Sequence, residues 1–143
     1  MASDQTIHSY VLDNGLGVFS TLAASNHLYI GLVKTGIIGT SFNPNDSGSY
    51  SSVTNSNNLY GSYQMATSDI ASPSFITGTY GREVVFSQMQ GAVSTAGNVT
   101  HYALYETNGS RVLITGKLQS TTNMSANGVF STQSFSVGLI APD

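Results

Sequence analysis

The sequence predicts a mostly β chain: an antiparallel β-sandwich or jelly roll with a short N-terminal helix and a long central loop. Three observations predict it. Apolar residues recur with period two through most of the chain after Asn26, the spacing that sends alternate side chains to opposite faces of a strand. Clusters of Gly, Asn, Ser and Asp separate these runs, as turns do in all-β domains. A parallel α/β sheet would need crossover helices between its strands, and no such alternation of helix and strand patterns is present. At 143 residues the chain has the size of one domain, 1–143, able to bury one core.

The elements follow in order. In the N-terminal segment, 1–25, Ile7, Val11, Val18 and Leu22 have helical spacing, and Ser3 or Asp4 can cap the helix. Gly15 and Gly17 weaken that helix. The competing reading takes Asn14 and Gly15 as a type I′ turn between two short strands. From Asn26 a strand begins, with Leu28, Ile30 and Leu32 on one side and His27, Tyr29, Gly31 and Val33 on the other. The stretch 34–60 is crowded with turn formers, among them Asn43, Pro44, Asn45, Asp46 and Gly48, and reads as a loop-rich excursion. Long loops in compact domains are uncommon unless they contact something, so this stretch is a candidate interaction region. Further strands are expected over Leu59–Met65, Arg82–Met89, Val99–Glu106, Arg111–Leu118 and Val129–Val137. Asn108 and Gly109 join the third and fourth of these as a hairpin, supplying the positive φ that a tight turn requires.

Composition limits the function. Only 8% of residues are charged, against 40% hydrophobic, where soluble domains usually carry about 25% charge. Neutral polar groups must supply solubility, and little charge opposes self-association. A net charge of −3, with Lys34, Arg82, Arg111 and Lys117 the only basic residues, gives no footprint for nucleic acid. The absence of cysteine excludes disulfides and thiolate zinc sites. The first six residues carry no basic or apolar signal-peptide region, so synthesis in the cytosol is expected. No apolar run reaches the roughly 18 residues that would span a bilayer, so no membrane contact is expected.

Chemistry is not signalled. His8, His27 and His101 are the only histidines, none in metal-binding spacing, and the carboxylates are scattered singly. Asn43–Ser49 offers oxygen atoms but lacks the spaced acids of a calcium loop, and reads as a turn. Gly78–Arg82 lacks the Lys-Ser/Thr ending of a phosphate loop and also reads as a turn. The glycosylation tripeptides at Asn98, Asn108 and Asn123 carry only turn chemistry in a chain without a signal peptide. No catalytic residue, metal or cofactor is therefore expected.

Tyrosine is the enrichment that hints at contacts, with eight Tyr and no Trp. Tyr50, Tyr60, Tyr63 and Tyr80 fall in or near turn-rich segments, where amphipathic rings often anchor interfaces. Together with Ile7, Tyr10 and Val11 near the N-terminus and Ile37, Ile38 and Phe42 in the excursion, Tyr50, Tyr60 and Tyr63 form the expected partner-binding set.

Some stretches resemble a known group. They are Ser-Tyr-Val-Leu-Asp-Asn-Gly-Leu at 9–16, Leu-Tyr-Ile-Gly-Leu at 28–32, Asn-Val-Thr-His-Tyr-Ala-Leu-Tyr-Glu at 98–106, Ser-Arg-Val-Leu-Ile-Thr-Gly-Lys-Leu at 110–118 and Gly-Val-Phe-Ser-Thr-Gln-Ser-Phe-Ser-Val at 128–137. In this order they resemble small virion structural proteins of tailed bacteriophages, including head decoration or cement proteins. The resemblance covers the chain before Lys34 and after Gln90. In such sequences the position of Gly15 often lacks a glycine, which favours the N-terminal helix. The resemblance implies no catalytic residue. It implies a cement protein on the outer capsid surface of the virion, bound to the major capsid protein and to itself as a homo-oligomer, dimer or trimer. The alternative is a tail fibre or receptor- or carbohydrate-binding tail module.

Overall fold

The computed structural model describes residues 6–76 and 81–139. The caps expected at Ser3 or Asp4, and most of the turn expected over Gly78–Arg82 with Tyr80, lie outside the described residues. The chain is mostly β, as the sequence predicts. Its elements are β1 (Thr6–Ile7), α1 (Ser9–Asn14), α2 (Val18–Ala24), β2 (Leu28–Lys34), α3 (Ser49–Thr54), β3 (Leu59–Gln64), β4 (Ser74–Phe75), β5 (Arg82–Phe86), β6 (Gln90–Val93), β7 (Gly97–Glu106), β8 (Arg111–Met124), β9 (Val129–Ser131) and β10 (Phe135–Leu139), with a 3₁₀ turn at Thr67–Asp69. They form a seven-stranded sheet in the order β1-β8-β7-β2-β3-β6-β9 and a three-stranded sheet in the order β10-β5-β4. Every pairing is antiparallel.

The N-terminal segment is helical, but as two short helices. Gly15 divides them with φ 86°, a conformation that glycine adopts at little cost, so no hairpin forms at Asn14 and Gly15. The cap of α1 is His8, whose Nδ1 accepts the Tyr10 N–H at 2.9 Å. At the end of α2, Asn26 takes φ 62° while its N–H reaches Ala23 O and the His27 N–H reaches Leu22 O. This Schellman arrangement satisfies the last helical carbonyls.

Strand β2 is buried on both faces, which the period-two reading of one apolar face did not foresee. Leu28 and Ile30 turn to a core that α1, α2 and the small sheet complete, with Val11, Phe19, Leu22, Met65, Val84, Phe86 and Leu104 around them. There the Phe86 ring meets Phe19 edge-on at 5.4 Å and stacks on Phe135 at 4.8 Å. Val33 turns to the opposite face, with Ala103 and Val112.

That opposite face is covered by the 34–60 stretch, which packs on the protein's own sheet. Its Ile38 and Val53 are buried against Val33, Ala103 and Val112, with Ile37, Phe42 and Tyr50 packed around them. Helix α3 within it was not foreseen, because Ser-Tyr-Ser-Ser-Val-Thr combines weak helix formers without apolar periodicity. Packing holds it: Val53 is fully buried and the Ser49 hydroxyl donates to Asn43 O at 2.5 Å.

The β7–β8 hairpin forms as expected, with Glu106 facing Arg111 and Leu104 facing Ile114. Its turn differs. The positive φ falls on Ser110, at 55°, and not on Gly109, because the buried Glu106 carboxylate accepts the Gly109 N–H and sets the loop. An L-residue in the left-handed region costs about 1 kcal/mol. Ser110→Gly is therefore expected to raise stability by about 0.5–1 kcal/mol, and an unchanged or lowered urea midpoint would contradict this turn.

The single strand expected over Val129–Val137 is two strands in different sheets. Thr132 N–H still bonds Met89 O beside β6, and two residues later the Ser134 hydroxyl reaches Phe86 O beside β5. Strands that change sheets through such a bend make the corners of two-sheet folds. Strands β8 and β9 stand five places apart in the large sheet, which in a flat sheet is roughly 24 Å. Both nevertheless line one cleft, so the sheet is strongly curled. Close approach on the inside of the curl depends on missing side chains: a Cβ on Gly91 would stand 2.4 Å from Phe130 Cζ, and one on Gly61 3.1 Å from Phe130 Cε1.

Candidate functional site

The residues expected to contact a partner are not brought together. Val11, Ile38 and Tyr60 are 0%, 2% and 8% exposed, so they are core residues and are withdrawn as surface anchors. The other six are half-buried and lie on both faces of the large sheet. Ile7, Tyr10 and Tyr63 pack on the core beneath the helices. Ile37, Phe42 and Tyr50 pack on the other face. Each tyrosine among them has an internal partner: Tyr10 lies under the Arg111 guanidinium at 3.9 Å, Tyr50 meets Tyr105 edge-on at 6.2 Å, and the Tyr63 hydroxyl donates to Asp69 Oδ2 at 2.8 Å.

The curl of the sheet creates a different site. A cleft of about 570 Å³ opens between the outer half of β8 and the β9–β10 bend, a volume within the usual range of ligand sites. Its floor is Ile30, Leu32 and Tyr102; Leu118 and Met124 wall one side, and Val129, Phe130 and Phe135 the other. The rim carries Lys117, Gln119, Thr122, Ser131, Thr132 and Gln133. Burial raises the Tyr102 pKa above its ordinary 10, so its hydroxyl is neutral through the physiological range. The outer half of β8 frames the cleft because the β7–β8 ladder jumps. Val99 faces Thr122, but two residues on His101 faces Lys117, so residues 118–121 stand opposite Thr100 alone and the excess bends the strand.

Val129 is 67% exposed, the highest among the exposed large hydrophobics of the described residues, ahead of Phe75, Leu12 and Val85. The sequence marks neither the cleft nor this residue, since both depend on the bend between β9 and β10. The cue available was the run Ser131-Thr132-Gln133-Ser134, four polar residues at the place where an inward-facing position was expected to recur.

A second polar group lies at the other end of the β7–β8 hairpin. Glu106 is fully buried and its Oε2 accepts Arg111 Nη1 at 3.1 Å. Beside the pair, burial first and then the Arg111 guanidinium lower the His8 pKa below its ordinary 6.5, against an opposing pull from Glu106. Burial is also the main reason that the Tyr105 hydroxyl is pushed up to about 12. Neutral His8 is the form that can accept the Tyr10 N–H and cap α1. A histidine held below its ordinary pKa contributes stability that is present above 6.5 and is lost as pH falls from there through its lowered value. His8→Asn keeps a good cap and removes the titration. Its urea midpoint should therefore fall less than that of the parent between about pH 8 and about pH 5, and equal falls would reject the assignment.

Among the described residues no group of three or more His, Cys, Asp or Glu side chains is placed to hold a metal ion, and no helix is long and apolar enough to cross a membrane. No protein-family model matches the chain, and no match was found among curated proteins or solved structures.

Proposed function

We propose that this chain is a non-enzymatic binding module, a bacteriophage head decoration protein that seats on the outer surface of the major capsid protein. The observation that carries the binding part is the cleft: an apolar floor with exposed Val129 beside it, rimmed almost wholly by amide and hydroxyl groups. Such a mixture stays soluble alone and dries against a neutral protein surface. The virion part rests on the sequence resemblance of the N-terminal segment, the β7–β8 hairpin and the β9–β10 region. We class the architecture, a curled sheet with a second small sheet on its core, with the β-sandwiches. Assembly on a lattice suits a chain with no cysteine, since bound contacts add stability by mass action.

Copy number tests the reading. Quantitative gel densitometry of purified particles should give hundreds of copies per head. A few to tens of copies would move the protein to the tail, as a fibre or receptor-binding module. Absence from particles would overturn both.

A further inference from the structure

The outer edge of β9 has unpaired main-chain groups directly beside the cleft. In an antiparallel ladder alternate residues turn their N–H and C=O towards the neighbouring strand. The Val93 N–H to Gly128 O bond at 2.9 Å and the Thr132 N–H to Met89 O bond at 2.8 Å mark Gly128 and Thr132 as residues turned to β6. Phe130, midway between them and opposite Gly91, is in phase with both. Val129 and Ser131 are therefore turned the other way, and β9 is the last strand of its sheet. No hydrogen bond among the described residues reaches their main-chain N–H or C=O groups. Protein edges are usually protected by charge, proline or a covering segment. This one presents a valine that is 67% exposed.

We propose that β9 and the cleft together accept an extended, uncharged polypeptide segment from a partner protein, which adds to the sheet as an eighth strand. Two residues of edge offer two donors and two acceptors at the spacing of a strand, the pattern that another extended main chain matches. Addition places the segment about 4.8 Å beyond β9, in the gap towards the outer half of β8. Side chains alternate across a strand, so the residue set opposite Phe130 points inward onto Ile30, Leu32 and Tyr102 and must be apolar. Its neighbours lie outward beside Val129 and Ser131. Main-chain bonds then supply affinity and the cleft supplies selectivity, as in other strand-addition sites. The inference rests on the reading of the chain as a protein-binding module, and its test uses no particles, so the two can fail separately.

The test is selection of a displayed random nine-residue peptide library on the purified protein, with Ser131→Pro and Val129→Lys variants as counter-targets. Ser131→Pro removes an outward N–H that the β6 ladder does not use, and Val129→Lys places charge on an already exposed edge position. The expected result is enrichment of peptides with apolar residues at alternate positions, bound at least about tenfold more weakly by either variant. Bound peptide should also slow amide exchange at Val129 and Ser131. No enrichment over the Val129→Lys variant, or peptides whose exchange footprint lies away from β9, would overturn the proposal. So would concentration-dependent dimerisation of the parent that Val129→Lys abolishes, because the occupant would then be a second copy of this chain.

Discussion

Arg111→Ala is expected to destabilise the protein by about 3 kcal/mol, roughly 10 °C in Tm. The reason is the asymmetry of the pair. Glu106 is fully buried while Arg111 is 31% exposed, so the arginine can turn to water if its partner is lost, but the carboxylate cannot. Removing the arginine leaves a buried charge to which the Gly109 N–H still donates. Breaking a buried pair in this way typically costs about 3–5 kcal/mol, and partial exposure of Arg111 puts this pair at the low end. The guanidinium also lies over the Tyr10 ring at 3.9 Å, so its loss loosens α1 on the sheet. Glu106→Gln keeps an acceptor for Gly109 and should cost less. Urea denaturation of the two variants checks the order, and a smaller loss for Arg111→Ala than for Glu106→Gln would contradict it.

Phe86→Ala is expected to cost about 4 kcal/mol. Phe86 is 0% accessible, and its ring contacts Phe19 of α2 and Phe135 of β10. One side chain thus joins the helices, the small sheet and the core of the large sheet. Truncation leaves a cavity that three separate elements would have to move to fill, which is the costly case for a large-to-small change. Val85→Ala, one residue away on the outer face and 36% exposed, serves as the control and should change stability by less than about 0.5 kcal/mol. Comparable losses for the two substitutions would show that the small sheet does not pack as described.

The sequence made the strands legible where local periodicity and tertiary burial agree. Tyr102, Leu104, Val112 and Ile114 alternate because the hairpin that carries them packs in the middle of the sheet, and Asn108 and Gly109 mark the place of its turn. The sequence did not reveal which turn residue takes positive φ, since a buried carboxylate from the strand decides that. Nor did it reveal the role of the 34–60 stretch. Turn formers there predict an irregular path correctly, but only the structure shows that path lying on Val33, Ala103 and Val112. Ile37, Ile38 and Phe42 have the composition of an interface because they make one, with their own sheet. The cleft was illegible for a related reason: it arises from strands five places apart in one sheet, brought together by curvature that glycines at 61 and 91 permit and no local pattern encodes.

Pairing of the first strand with a late one has a consequence for synthesis. Thr6 pairs with Thr115, a separation of 109 residues, and ribosomes add about 5–20 residues per second. The opening strand therefore waits roughly 5–20 seconds before its partner exists, and longer until that partner clears the exit tunnel. During that interval Val11, Phe19 and Leu22 have no finished sheet to cover them, and the nascent chain presents them to chaperones or to neighbouring copies. Docking of β1 is then a late step of folding, and the yield of native protein in the cell depends on how well those apolar residues are shielded until it happens.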